Sequence, residues 1–120
     1  MRRETGRTQI DRPRDEVWRL ITTPSRMTDW YDGWDLCEYR PDESLLRAGT
    51  TFLLHSPQTD RHPVRCRVVA VVEPALVRWI EHHQLGLSVL VEFRLAVVAS
   101  ERTAVFHTKT TISEADSVLS

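Results

Sequence analysis

Lysine is almost missing from this chain. Of its 16 basic residues only Lys109 is a lysine. The formal net charge is −1, so no global field draws the protein to nucleic acid or to an anionic membrane. No apolar run approaches the roughly 20 residues that span a bilayer. The N-terminal Met1-Arg2-Arg3-Glu4-Thr5-Gly6 lacks the apolar segment of a signal peptide, and a cytoplasmic location is expected. Cysteine is scarce too. Cys37 and Cys66 show no metal or redox spacing and are expected as buried free thiols. The four glycines form no phosphate-cradling loop, and Ser25 and Ser88 have no neighbouring nucleophile motif. His55, His62, His82, His83 and His107 fall at no ligand spacing. Adjacent His82 and His83 face opposite ways on a strand. No metal and no cofactor are expected.

What the chain does have is concentrated first between Ile10 and Trp34, which holds three of its four tryptophans. Thr5 to Ile10 reads as a strand with Thr8 and Ile10 on one face. Asp11 is placed to cap a helix, Pro13 suits its first turn, and Asp15 and Glu16 complement the positive end of its dipole. Val17, Trp18, Leu20 and Ile21 form its apolar stripe, with Trp18 in the core. Pro24 ends that helix and opens another capped by Thr23, with Met27 and Trp30 inward.

From Trp34 the period changes to two. Strands are expected at Trp34–Arg40, Thr50–Ser56, His62–Glu73, Leu76–His83, Leu87–Val98 and Arg102–Ile112. Phe52 and Leu54 share one face. So do Val64, Cys66, Val68, Ala70 and Val72, with Arg65 and Arg67 opposite. Val77, Trp79, Glu81 and His83 share another, as do Leu87, Val89, Val91, Phe93, Leu95 and Val97. In the last strand Phe106, Thr108, Thr110 and Ile112 are expected inside, opposite His107 and Lys109. Long strands joined by short turns imply an antiparallel meander with one covered and one wet face. Ser113 to Ser120 reads as the capped start of another helix or a tail. At 120 residues this is a single domain, 1–120.

The order of parts resembles the START-like, or SRPBCC, helix-grip superfamily, in particular its polyketide cyclase/dehydrase-like members. The resemblance is carried by the opening strand into Asp11-Arg12-Pro13-Arg14-Asp15-Glu16-Val17-Trp18 and by the Thr23-Pro24 to Trp30 helix. Gly49-Thr50-Thr51-Phe52 and the Val71-Val72-Glu73-Pro74 to Val77-Arg78-Trp79 corner add to it. It implies an α+β fold: a curved antiparallel sheet of six to seven strands, two short helices after strand 1, and an apolar pocket. The superfamily's long C-terminal helix is represented here only by Ser113 to Ser120. An uncovered face bearing Trp79, Phe93 and Phe106 would be a large apolar patch, so a homodimer closing the groove, or a ligand or partner filling it, is expected.

Glu81 and His83 are the sharpest chemical pair, sharing a face about 7 Å apart. Desolvation raises a carboxyl pKa and lowers an imidazole pKa, which brings such a pair towards general acid–base work. Trp30, Tyr31 and Trp34, where the second helix returns to the sheet, border the expected pocket mouth. Phe52, Leu54, Trp79, Val91, Phe93, Phe106, Thr108 and Thr110 complete the expected ligand-binding set. Arg61, Arg65 and Arg67 make a small basic patch on the outer face, without the interleaved aromatics of single-strand nucleic-acid binding. The expected function is binding of a polyketide-, lipid- or aromatic-like small molecule, with cyclase or dehydratase turnover as its catalytic form. The alternative is a non-catalytic interaction or co-chaperone-type module whose groove takes a partner chain.

Overall fold

The computed structural model describes residues 2–59 and 62–113. The expected helix over 113–120 therefore lies almost wholly outside the described residues, as does Arg61 of the basic patch. Seven strands are present: β1 Arg2–Ile10, β2 Leu36–Glu38, β3 Thr51–His55, β4 Val64–Val72, β5 Leu76–His82, β6 Leu87–Ala99 and β7 Arg102–Ser113. They form one antiparallel sheet in the order β1-β7-β6-β5-β4-β3-β2. Its two edges, β1 and β2, do not meet, so the sheet curves without closing. Two short helices sit between β1 and β2, α1 Arg14–Ile21 and α2 Met27–Trp30, the second preceded by a 3-10 turn over Pro24–Arg26. This is the α+β helix-grip arrangement.

α1 forms where the apolar stripe and the acidic first turn predict it, burying Val17, Trp18 and Ile21. Its cap differs from expectation. Pro13 holds the N-cap position with no side-chain bond, while the Asp11 carboxylate accepts from Arg102 Nε at 3.0 Å. Thr23 likewise does not cap the second helix; its hydroxyl donates back to the Arg19 carbonyl at 2.5 Å. α1 packs across β6 and β7, and α2 against α1 and β2. Together they cover the concave face.

That cover corrects the expected apolar patch. Trp79 is 0% and Phe93 7% exposed, because Trp30 and Tyr31 cover them in edge-to-face contacts with ring centroids 5.1–6.5 Å away. A second correction concerns β4. A bulge between Val68 and Ala70 reverses the alternation, so Val71 pairs with Val77 and packs on the core, while Val72 is exposed. The third concerns β7. Phe106, Thr108 and Thr110 pair with Arg94, Glu92 and Leu90 of the outer face. His107 and Lys109 pair with Phe93 and Val91 of the inner one. Phe106 is 40% exposed, with the Arg7 guanidinium 5.4 Å from its ring centroid. All three therefore project from the outer face, where Thr110 is nonetheless only 5% exposed.

The interior is unevenly filled. Over β3, β4 and β5 it is solid: Phe52, Leu54, Val64, Cys66, Val68 and Trp79 are all buried. Over β6, β7 and β1 it is not, and there the candidate site lies.

Candidate functional site

Under the helices is a cavity of about 350 Å³. Thr8 and Ile10 come from β1, Leu20 and Ile21 from α1, Phe93 from β6, and Val105, His107 and Lys109 from β7. Trp30, Tyr31 and Asp32 close it at the end of α2. Each lining position has a local reason. The period of two sends Val105, His107 and Lys109 to one face of β7. Gly6 faces His107 across the β1–β7 pair, and a Cβ on Gly6 would lie 2.3 Å from His107 Cε1. The missing side chain thus makes room for the imidazole.

The only lysine of the chain reaches inward, its ammonium 4.5 Å from the Tyr31 ring centroid, a cation–π contact. Trp30 Nε1, on the same wall, is buried and has no acceptor. A buried donor without a partner costs about 1–3 kcal/mol, which an acceptor on a bound ligand would recover.

Beside the cavity sits the one buried carboxylate of the inner face among the described residues. Glu81 is 2% exposed. Its Oε2 accepts from Tyr31 Oη at 2.6 Å and from Trp79 Nε1 at 3.1 Å. Its Oε1 lies 3.1 Å from His83 Nε2. An ionised carboxylate only accepts, so that nitrogen carries the proton. Burial alone would push the Glu81 pKa up. Hydrogen bonds from His83, Tyr31 and Trp79, together with the Lys109 charge, outweigh it and hold the carboxyl below its ordinary range. This corrects the expected direction. Burial, the Glu81 charge and its hydrogen bond raise the Tyr31 pKa, so Tyr31 remains a phenol. Burial pushes the Cys37 thiol up to about 11. Burial first, and then the neighbouring Glu81 and Cys37, also raise Cys66. Neither cysteine is a ready nucleophile.

Of the expected site residues, Trp30, Tyr31 and Phe93 line the cavity. Phe52, Leu54, Trp79 and Val91 belong to the solid core, and Trp34 packs at its edge, 6.4 Å from the His83 ring. Glu81 and His83 meet each other but reach the cavity only through Tyr31. Phe106, Thr108 and Thr110 lie on the far side of the sheet. Sequence reasoning missed His107 and Lys109. Gly6 was the available signal, since an isolated strand glycine marks close approach of a neighbour. Among the described residues no three His, Cys, Asp or Glu side chains converge as metal ligands, and no helix is long and apolar enough to cross a membrane.

This frame, with its two helices inside an open seven-stranded sheet, has known counterparts. Residues 11–119 match the model of the family described as Activator of Hsp90 ATPase homolog 1-like protein, a branch of the SRPBCC superfamily. The chain belongs to that family. Among curated proteins none matches it in sequence. Among solved structures, CalU16 from Micromonospora echinospora is 24% identical with a TM-score of 0.69, covering 94% of this chain and 62% of that one. BexL, a di-domain ARO/CYC from the BE-7585A biosynthetic pathway, is 14% identical with a TM-score of 0.71; the match covers 97% of this chain and 37% of BexL. Norcoclaurine synthase from Thalictrum flavum is 12% identical with a TM-score of 0.70, over 94% and 70% of the two chains. At these identities the likeness to solved structures shows the fold, and the Activator of Hsp90 ATPase homolog 1-like family supplies the membership.

Proposed function

We propose that this protein binds an apolar small molecule, polyketide-, lipid- or aromatic-like, that carries a hydrogen-bond-accepting or anionic group at one end. The observation behind this reading is the cavity of about 350 Å³, above the ~300 Å³ lower end for small-molecule sites. Ile10, Leu20, Ile21, Phe93 and Val105 supply its apolar wall, and Lys109, His107 and the unpartnered Trp30 N–H supply its polar end. A carbonyl or carboxylate there would meet donors, while the ligand body displaces water from an oily wall. The solved structures of similar shape include a synthase and an ARO/CYC, which agrees with a small-molecule role.

Proton transfer is a second reading, favoured by one observation. Tyr31, at the cavity wall, is joined through Glu81 to His83, whose side chain is 29% exposed. This chain links bound ligand to solvent, as acid–base turnover requires. The reading of a groove filled by a partner's helix has less room, since α1, Trp30 and Tyr31 already cover Trp79 and Phe93.

Anilinonaphthalene sulfonate, an apolar anion, tests the main reading by fluorescence titration. One molecule per chain should bind. Val105→Trp, its fold checked by circular dichroism, should abolish binding by filling the cavity, and Lys109→Met should weaken it. Equal binding by a folded Val105→Trp variant would place the dye elsewhere and remove the proposal.

A further inference from the structure

A second cleft, larger than the inner cavity, is not under the sheet. It measures about 700 Å³ and lies on the outer face at the β2 edge. Arg65 and Arg67 of β4, Leu53 of β3 and His82 of β5 form its floor, and Tyr39 and Arg40, just after β2, form its wall. Register explains the grouping. Arg65 pairs with Leu53 on one side and His82 on the other, so all three project from the same face. Arg67 follows two residues on, about 7 Å along the strand.

The outer-face arginines of β4, β5 and β6 fall into two groups. Near the middle of the sheet they are matched with carboxylate: Arg78 and Arg94 both donate to Glu92, each through Nε at 3.0 Å. In the cleft they are not. Arg65 and Arg67 are exposed and have no ion-pair partner among the described residues. Arg40 comes only within 3.9 Å of Asp42, both side chains being largely in water. Glu38, the one carboxylate lining the cleft, lies 2.7 Å from His55. Three arginines thus line a concavity with one carboxylate, Glu38, among the described residues, in a protein whose net charge is −1. Such a concavity focuses positive potential. The guanidinium fork matches phosphate oxygens in pairs, and the Tyr39 ring and Leu53 side chain offer an apolar surface beside it.

We propose that this outer cleft binds a phosphate-bearing organic anion, with Arg65 and Arg67 holding the phosphate, Arg40 closing on it, and Tyr39 against the organic part. The site is independent of the inner cavity. The phosphate could belong to a dissolved metabolite or to a lipid headgroup, and the test separates them.

Phenyl phosphate and pyrophosphate are titrated into the intact chain while backbone amide chemical shifts are followed. Saturable shifts confined to residues around Tyr39, Leu53, Arg65, Arg67 and His82 are expected. In the Arg65→Gln/Arg67→Gln variant, which changes only exposed side chains, the affinity should fall about tenfold or more, as loss of charge-assisted pairs predicts. Val105→Trp should leave it unchanged, so failure of the inner-cavity reading would be seen separately. Co-sedimentation with phosphatidylcholine vesicles containing phosphatidylglycerol decides the source: pelleting of wild type but not of the double variant assigns a lipid phosphate, and no pelleting assigns a soluble one. Equal affinity of the double variant, shifts mapping elsewhere, or no saturation by about 20 mM (weaker than ~2.3 kcal/mol of binding) would overturn the proposal.

Discussion

Replacing Tyr31 by phenylalanine removes one oxygen and little else. The ring keeps its stack on Trp30 at 5.4 Å, its edge contact with Trp79 at 5.9 Å and the Lys109 ammonium at 4.5 Å. What is lost is the 2.6 Å bond to Glu81. Glu81 retains Trp79 and His83 as donors, so the variant should fold. A hydrogen bond to a charged acceptor contributes ~1.5–3 kcal/mol; a loss of ~2 kcal/mol is expected. For a chain of this length that corresponds to a fall in melting temperature of about 8 °C, read by circular dichroism and checked by urea titration. The penalty should also depend on pH. The folded-state pKa of Glu81 lies below its ordinary value of 4.5, so the stabilisation from its ionisation is full above that value and is lost as pH falls through the folded pKa. Tyr31→Phe removes one of the bonds that depress it. The difference between wild type and variant should therefore be greatest near neutrality and shrink in acid. A penalty under about 0.5 kcal/mol near neutral pH, within the range of ordinary surface substitutions, or one that grows in acid, would refute the account of Glu81 as a buried, ionised, donor-braced carboxylate.

Three further outcomes are expected. Trp79→Ala empties the centre of the solid half and takes a donor from Glu81, so chemical denaturation should show a loss of ~3–5 kcal/mol; a loss near zero would mean the ring is not packed core. Gly6→Ala places a methyl 2.3 Å from His107 Cε1, so the imidazole must rotate into the cavity, shifting its ring proton signals and weakening dye binding; unchanged signals would contradict the packing described. Arg78→Gln on the outer face leaves Glu92 with Arg94 and should cost under ~1 kcal/mol, less still at high salt; a larger loss in double-mutant cycles with Glu92→Gln would show a stronger network than partly exposed pairs normally form.

Much of the scaffold was readable because its causes are local. Alternation in β3, β5 and β6 placed Phe52, Trp79, Glu81 and Phe93 on the inner face correctly, since a single-residue slip would have turned each to water. The errors have causes that lie across the sheet. In β7 the larger apolar residue, Phe106, was the natural choice for the inside. Arg7 on the neighbouring strand makes its outward position tolerable, and Gly6 opens the space that His107 takes instead. In β4 one extra residue, Val69, reverses the faces beyond it, and a run of valines gives no local sign of where that occurs. Glu81 and His83 do meet, at 3.1 Å. That three donors would hold the carboxylate ionised could not be read from strand period, because Tyr31 stands 50 residues away in the chain. The cavity itself moved with the β7 faces, towards Lys109 and away from Thr108 and Thr110.

The uneven interior has a consequence for how such a chain can diverge. Its stiffness resides beside β3, β4 and β5, whereas the hollow is framed by Ile10, Leu20, Val105 and their neighbours. In the proposed role, exchanges among those framing residues would alter which guest fits while leaving Phe52, Leu54 and Trp79 of the keel in place. Under that role a lineage would change its small-molecule preference at the wall of the hollow before touching the keel.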